Sequence, residues 1–242
     1  MEEPASKNGY LCINCNAPSS SLYQEYSKDV IRITECVKCG EVVDKYVEYD
    51  DVLLIMDLIL QYIGAYRHLL NNTSFKGNPR LAVVFLFCGA YNKWIDRRIY
   101  HGEALSRIYD LEWNFYQCLI LTMLEFIAFD VVILAFAYFV DNDRGKERLW
   151  SIAKCSLTGF YGNVFVVISI VWQLHSEWMY RILLQIFILT SHVQVHRTVF
   201  SHRSVGVAFA LVAVATVLQQ TLLYYAGACF FWLTQVVPAS SG

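Results

Sequence analysis

Short alternating stretches dominate the first fifty residues, and from residue 51 onward they give way to apolar runs that lengthen toward the C-terminus. Leu22-Tyr23-Gln24-Glu25-Tyr26 and Val30-Ile31-Arg32-Ile33-Thr34 alternate as the arms of a short hairpin do, with Gly40 placed for a later turn. Asp51 to Leu70 reads as one helix. Asp50, Asp57, Gln61, Gly64 and His68 share a face at helical spacing, while Leu53, Leu54, Met56, Leu60 and Ile63 lie mostly on the other. That apolar face is too interrupted to span a bilayer and fits a helix lying in the interface; the competing reading is a helix packed in a soluble core.

Asn72 to Asn78 is a polar loop, and Pro79 opens a second segment whose apolar part runs from Leu81 to Tyr91. A run of that length covers only about half of a ~30 Å hydrocarbon core, so it predicts an embedded or re-entrant helix that Asn92, Lys93, Asp96, Arg97 and Arg98 return to the headgroups. A polar connector over 100–116 ends in Glu112-Trp113-Asn114-Phe115-Tyr116, whose aromatics suit an interfacial belt. Four spans are expected next: Gln117 to Val140, about Ser151 to Leu174, about Trp178 to Phe200, and Val205 to Val237. The last exceeds the ~20 residues an upright helix needs and is either one long helix or a hairpin broken near Gln219-Gln220-Thr221.

Composition agrees with this pattern. Hydrophobic residues make up 56% of the 242, with only four prolines, which is outside the range of an ordinary soluble domain. The expected fold is therefore a mostly α membrane protein. A tail (1–9) precedes a small β zinc ribbon (10–50), interfacial or re-entrant helices (51–116), a bundle of about four transmembrane helices (117–237) and a short tail (238–242).

The zinc assignment rests on Cys12-Ile13-Asn14-Cys15 and Cys36-Val37-Lys38-Cys39. Each Cys-x-x-Cys knuckle turns two sulfurs toward one metal, and two facing knuckles make a closed tetrahedral site of structural type. A pair of disulfides is the competing reading, which a reducing compartment disfavours. Cys88, Cys118, Cys155 and Cys229 stand singly in apolar runs as buried thiols. Residues 1–50 carry five Lys or Arg against nine Asp or Glu, a balance that argues against nucleic acid as a partner.

Within the expected spans the informative residues are those costly to bury. Glu125 and Asp130 lie in the first, with Asp130 near its middle, and each costs roughly 2.5–3.5 kcal/mol there if ionised and unpartnered. Arg181, Gln185, His192 and His196 form a polar stripe along the third, and His192 and His196 are the expected partners of Asp130, the alternative being a neutral Asp130 hydrogen-bonded to Asn163 or Gln219. Cys155, Gly159 and Asn163 give the second a small-residue face on which another helix can close. Together these groups are either a polar pathway for a lipid headgroup or hydrogen-bonding glue between helices. His192-x-x-x-His196 lacks the intervening Glu of the zinc hydrolase helix, and the chain has no phosphate loop, nucleophile elbow or Asp-x-x-x-Asp pair, so no enzymatic activity is expected.

Cys12-x-x-Cys15, Leu22-Tyr23-x-x-Tyr26, Ile31-x-Ile33-Thr34-x-Cys36-x-x-Cys39 and Asp44-Lys45-Tyr46-Val47-Glu48-Tyr49-Asp50 closely resemble the N-terminal homology domain of the Arv family. The resemblance continues through Ala65-Tyr66-Arg67-His68-Leu69-Leu70 and, more loosely, Glu112-Trp113-Asn114-Phe115-Tyr116, Tyr161-Gly162 and Leu189-Thr190-Ser191. Asn163 stands where the family pattern has lysine. The resemblance implies an endoplasmic-reticulum protein of sterol and sphingolipid homeostasis that also supports the supply of glycosylphosphatidylinositol precursors. A handler of such lipids is the first reading, and an adapter that anchors a lipid glycosyltransferase subunit is the second. Reduced thiolates place the ribbon and the C-terminus in the cytosol, an orientation in which the overlapping sequons of Asn71-Asn72-Thr73-Ser74 stay unmodified; Arg144, Lys146, Arg148 and Lys154 argue for the opposite one.

Overall fold

A computed structural model of the chain describes residues 9–27, 30–48, 50–73, 79–101, 108–142, 144–174 and 177–236. The expected N-terminal tail apart from Gly9, the tail 238–242, and the side chain of Cys229 lie outside the described residues. The chain divides into two compact units, residues 1–76 with Gln194–Ser204, and residues 77–193 with 205–242.

In the first unit, β1 (Tyr10–Leu11) pairs antiparallel with β2 (Pro18–Ser19), and β3 (Tyr23–Ser27) with β4 (Val30–Ile33), Tyr23 lying opposite Ile33. The alternating stretches thus form the expected hairpin, and a bulge between Glu25 and Ser27 shifts its register. Cys12, Leu22, Cys36 and Val43 make its small core. Such a core is too small to hold a fold alone, so a second cluster matters: Ile13, Tyr46 and Ala65, with Leu54 and Leu58 against them, seats the strands on the helices that follow.

Those helices are α1 (Asp51–Ile59) and α2 (Ile63–Arg67), followed by a π turn at His68–Asn72. The single helix expected over Asp51 to Leu70 is therefore interrupted. Gln61 sits in the left-handed region at φ 59°, the Tyr62 amide reaches back to Asp57 O at 2.9 Å, and that of Gln61 reaches Leu58 O at 3.0 Å. This is a helix-stop of the Schellman type with glutamine in the position that glycine usually takes, which hid it from the pattern. The interruption breaks the expected polar face. Leu54 and Leu58 face the ribbon while Val52, Ile55, Met56, Ile59 and Leu60 are exposed, so α1 is apolar on two sides.

The second unit contains α3 (Pro79–His101), α4 (Ile108–Phe139), α5 (Lys146–Thr158), a 3-10 segment (Gly159–Phe165), α6 (Val166–Val171), most of α7 (Trp178–Val199) and α8 (Val205–Val236). α4 packs along α8, α3 and α5, and α3 also packs on the 3-10 segment. Three stretches among the described residues are long and apolar enough to cross a membrane: Glu112–Phe139, Lys146–Val171 and Val205–Ala228. Three replaces the expected four. α7 is long enough, but Arg181, Gln185, His192, Gln194, His196 and Arg197 leave it no sufficiently apolar window, and its last turn belongs to the first unit. α8 runs unbroken through Gln219-Gln220-Thr221, which decides for one helix over a hairpin.

Candidate metal centre and polar cavity

The two knuckles have the same local geometry. In Cys12-Ile13-Asn14-Cys15-Asn16 the Asn16 amide donates to Cys12 O at 2.9 Å, and in Cys36-Val37-Lys38-Cys39-Gly40 the Gly40 amide donates to Cys36 O at 2.9 Å. Asn16 (φ 59°) and Gly40 (φ 76°) both occupy the left-handed region, which asparagine and glycine tolerate best. Each knuckle thereby turns its two sulfurs inward. All four Sγ atoms lie within 4.8 Å of one another, with Cys12 to Cys39 at 3.8 Å and Cys15 to Cys36 at 3.6 Å. Disulfide sulfurs would be about 2.0 Å apart. Sulfurs at ~2.3 Å from a central tetrahedral ion are about 3.8 Å apart, which fits.

The electrostatics fit the same ion. Backbone amides of Cys39 and Lys38 donate to Cys36 and hold its thiol down at about 6. Burial pushes the Cys12 thiol up. The Glu41 amide favours the thiolate of Cys39, but burial and the three neighbouring sulfurs outweigh it and push that thiol up to about 12. Four thiolates cannot crowd together unless a cation lies among them. These four cysteines can hold a metal ion with no ligand position left open.

A buried clamp holds this centre to α2 and the π turn. Asp44 is fully buried; its Oδ1 caps the 3-10 turn Lys45–Val47 by accepting from the Tyr46 amide at 3.0 Å. Its Oδ2 meets His68 Nδ1 at 2.7 Å and accepts from Asn72 Nδ2 at 2.6 Å. Asn72 also pairs with both backbone groups of Leu11, at 3.0 and 2.9 Å. Arg67 donates to the carbonyls of Ile13 and Asn14 at 2.8 and 2.5 Å, inside the first knuckle.

The second unit holds a half-open cavity of about 270 Å³ whose walls are apolar for the larger part but carry several charged and carboxamide groups. Lys93 of α3 pairs with Glu125 of α4, and Gln219 of α8 donates to the other oxygen of Glu125 at 2.7 Å. Arg181 of α7 lies 3.8 Å from Asp96 of α3. Asn163 approaches the α3 backbone at Gly89, where an added Cβ would stand 3.1 Å from its Nδ2. The floor is aromatic: His192 packs on Phe129 and Phe160 with ring centroids 4.3 and 4.4 Å away. Its ring occupies the space a Cβ on Gly159 would fill.

The family model described as Arv1-like matches residues 11–195, a span that includes both knuckles and most of the cavity. The chain belongs to the Arv1-like family. Protein ARV1 of Bos taurus is 31% identical over 223 residues, covering 89% of this chain and 78% of that protein. Protein ARV1 of Homo sapiens is 29% identical over 222 residues, covering 89% and 81%. Protein ARV1 of Saccharomyces cerevisiae is 56% identical over 62 residues, 26% of this chain and 19% of that one. No solved structure matches.

Within this Arv1-like chain, the structure brings together Cys12, Cys15, Cys36 and Cys39 as the spacing requires. It gathers Glu125, Asn163, Arg181, Gln185 and His192 around one cavity but leaves Asp130 and His196 outside its lining. Asp130 is half-buried on α4 near Ser156 of α5, and His196, fully buried, falls in the first unit. The expected meeting of α4 with α7 does occur, one residue earlier, through Phe129 and His192. Close packing on the expected small-residue face is found at Gly159, and it extends to Gly162, where Phe187 and Ile188 leave no room for a Cβ. Sequence reasoning missed Lys93 and Asp96, which the Leu81–Tyr91 run had marked as mere headgroup anchors, and it missed Asp44 and Asn72, since nothing local marks a polar residue as buried.

Proposed function

We propose that this chain is a multi-pass membrane protein of the endoplasmic reticulum that handles lipids without a catalytic step of its own. Its work would support sterol transport and homeostasis, sphingolipid metabolism and the supply of glycosylphosphatidylinositol intermediates. The observation that carries the reading is the half-open cavity of about 270 Å³, with charged and carboxamide groups on largely apolar walls, built among helices of which three are apolar enough to cross a bilayer. Gathering four charged side chains and five carboxamides among such helices is costly, and a route or rest for a lipid headgroup is a use that offsets it.

In this reading zinc sits among Cys12, Cys15, Cys36 and Cys39 as a structural ion that fixes the fold of the first unit. A reducing cytosol suits those thiolates and favours the ribbon there, and three crossings, where four were expected, would then leave the C-terminus on the other side. The exposed face Val52, Ile55, Met56, Ile59 and Leu60 lays α1 in the membrane interface beside the ribbon.

An adapter is the second reading, and one observation favours it. Hairpin β3–β4 exposes Tyr23, Tyr26 and Ile31 on a pair of strands with free edges, a surface that a protein such as a lipid glycosyltransferase subunit could cover. Reconstitution separates the two. The purified chain in vesicles should accelerate movement of a fluorescent lipid between leaflets by itself; an inert chain that gains effect only with a partner subunit would leave the adapter reading standing.

A further inference from the structure

Arg67, the last residue of α2, is a half-buried guanidinium that bonds to carbonyls where a carboxylate would be the usual partner. Its Nη1 donates to Ile13 O and Asn14 O at 2.8 and 2.5 Å, and its Nε is buried without a hydrogen-bond partner. Among the described residues no acidic side chain pairs with it. A cation so placed is costly, because burial disfavours charge and two carbonyl dipoles replace water only in part.

A second cation adds to that cost. Arg197, in the last turn of α7 and in the same compact unit, is close enough for its charge to bear on Arg67. α7 brings no acidic residue of its own, and the chain carries no Asp or Glu after Glu177. Burial and the charge of Arg197 pull the Arg67 guanidinium down, and Cys12, Cys15 and Tyr62 oppose them. Two of those three belong to the metal centre.

Four thiolates around a divalent ion carry two negative charges in excess, and such a centre needs cations near it as much as buried cations need anions. Lys38 of the second knuckle is exposed, where water and salt screen it. Arg67 and Arg197 are half-buried, and Arg67 grips the backbone of the first knuckle. The charges match in number as well as in sign.

We infer that Arg67 and Arg197 are the counter-charges of the zinc-loaded cysteine centre, Arg67 directly against the first knuckle and Arg197 beside Arg67. They are positioning residues, acting through their charge and through the knuckle backbone, and Arg197 makes the end of α7 an outer part of the metal centre. This rests on the zinc reading and names the residues that set how tightly the metal is held.

The test uses the full chain in phosphatidylcholine nanodiscs, with competition against a chromogenic zinc chelator as the readout. Cobalt(II) substitution, read by its thiolate charge-transfer absorption, checks that the centre is intact. Arg197→Gln should raise the zinc dissociation constant about tenfold, while Arg197→Lys, which keeps the charge, should stay within about threefold of the parent. Arg67→Gln should cost at least as much as Arg197→Gln, since it loses the backbone grip as well. Cys39→His is the charge control: Cys39 is exposed, with room for a ring, and three thiolates with one imidazole still bind zinc tetrahedrally with one negative charge fewer. In that background Arg197→Gln should weaken zinc binding only about threefold. Equal losses in Arg197→Gln and Arg197→Lys, no loss in Arg197→Gln, or a loss undiminished by Cys39→His overturns the inference. Should Cys39→His take up no metal, the comparison of Arg197→Gln with Arg197→Lys decides alone. A parent chain that takes up no zinc removes the zinc reading itself, whereas a parent that holds zinc with the same affinity whatever stands at position 197 removes only this inference.

Discussion

Asn72 donates its side-chain amide to the buried carboxylate of Asp44 over 2.6 Å while pairing with both backbone groups of Leu11. A residue that opens a glycosylation sequon is thus committed to holding the first strand against the π turn. Replacing it by leucine removes a donor from a buried carboxylate and leaves the Leu11 backbone unpaired. Asn72→Leu should cost about 2–3 kcal/mol, whereas Asn71→Ser should stay within about 0.5 kcal/mol. Thermal unfolding of the two variants checks this. The folded unit should also carry no glycan at Asn72, and mass spectrometry finding one would place this segment in another conformation.

One zinc per chain is expected from elemental analysis. Cys36→Ser removes the sulfur on which two amides converge, and metal binding and folding are coupled in a site this small. The variant should lose its zinc and become protease-sensitive across residues 10–73, with the apolar helices still inserted. Retention of metal and protease resistance would refute the four-thiolate centre.

Gly159 has φ −62°, which any residue adopts, so its cost on substitution is purely steric. An added Cβ would lie 2.3 Å from His192 Nδ1 and must push that ring off Phe129 and Phe160. Gly159→Ala should destabilise by about 1–3 kcal/mol, and much of that should vanish in a His192→Ala background. Additive effects in the double variant would mean the two residues do not meet.

Lys93, Glu125 and Gln219 tie α3, α4 and α8 together at the cavity. Lys93→Met strands a half-buried carboxylate and should cost about 3 kcal/mol, while Lys93→Met with Glu125→Met should recover most of it. A double variant as unstable as the single one would show that the pair itself, and not the stranded charge, sets the cost. Unfolding midpoints in nanodiscs supply the comparison.

Asp57 accepts from the Tyr46 hydroxyl at 2.6 Å and from Lys45 at 3.1 Å, and these hold its carboxyl below the usual carboxylate range. A depressed folded pKa gives stability that is fully present above the unfolded value of about 3.9 and is lost as pH falls through the folded one. Asp57→Asn should therefore cost about 1 kcal/mol, constant from pH 7 to about pH 5 in excess zinc, with narrowing only below about pH 4. A gap that closes between pH 7 and pH 5 would mean a raised carboxyl.

Several features were legible in the chain because they are local. Cys-x-x-Cys fixes a knuckle within five residues, so both metal-ligand pairs and the hairpin between them could be read from spacing. Long apolar runs report span-length helices for the same reason, since a helix closes its own hydrogen bonds and needs only length and composition. Local rules failed where a residue contradicts its average habit. Gln61 ends a helix in a conformation usually left to glycine, and α7 has the length of a span without its apolar character.

The tertiary structure decided everything that depends on which face meets which. Spacing placed Glu125, Asn163, Arg181, Gln185 and His192 on separate segments, and packing of α3, α4, the 3-10 segment, α7 and α8 set them around one cavity with Lys93 and Asp96. The same packing put Phe129 against His192 where the sequence pointed to its neighbour Asp130. On a helix, adjacent residues point about 100° apart, so knowing that two helices touch does not say which of two neighbours makes the contact. That choice is made by side-chain volume, by glycines such as Gly159 that leave room for a ring, and by the cost of leaving a buried charge unpaired.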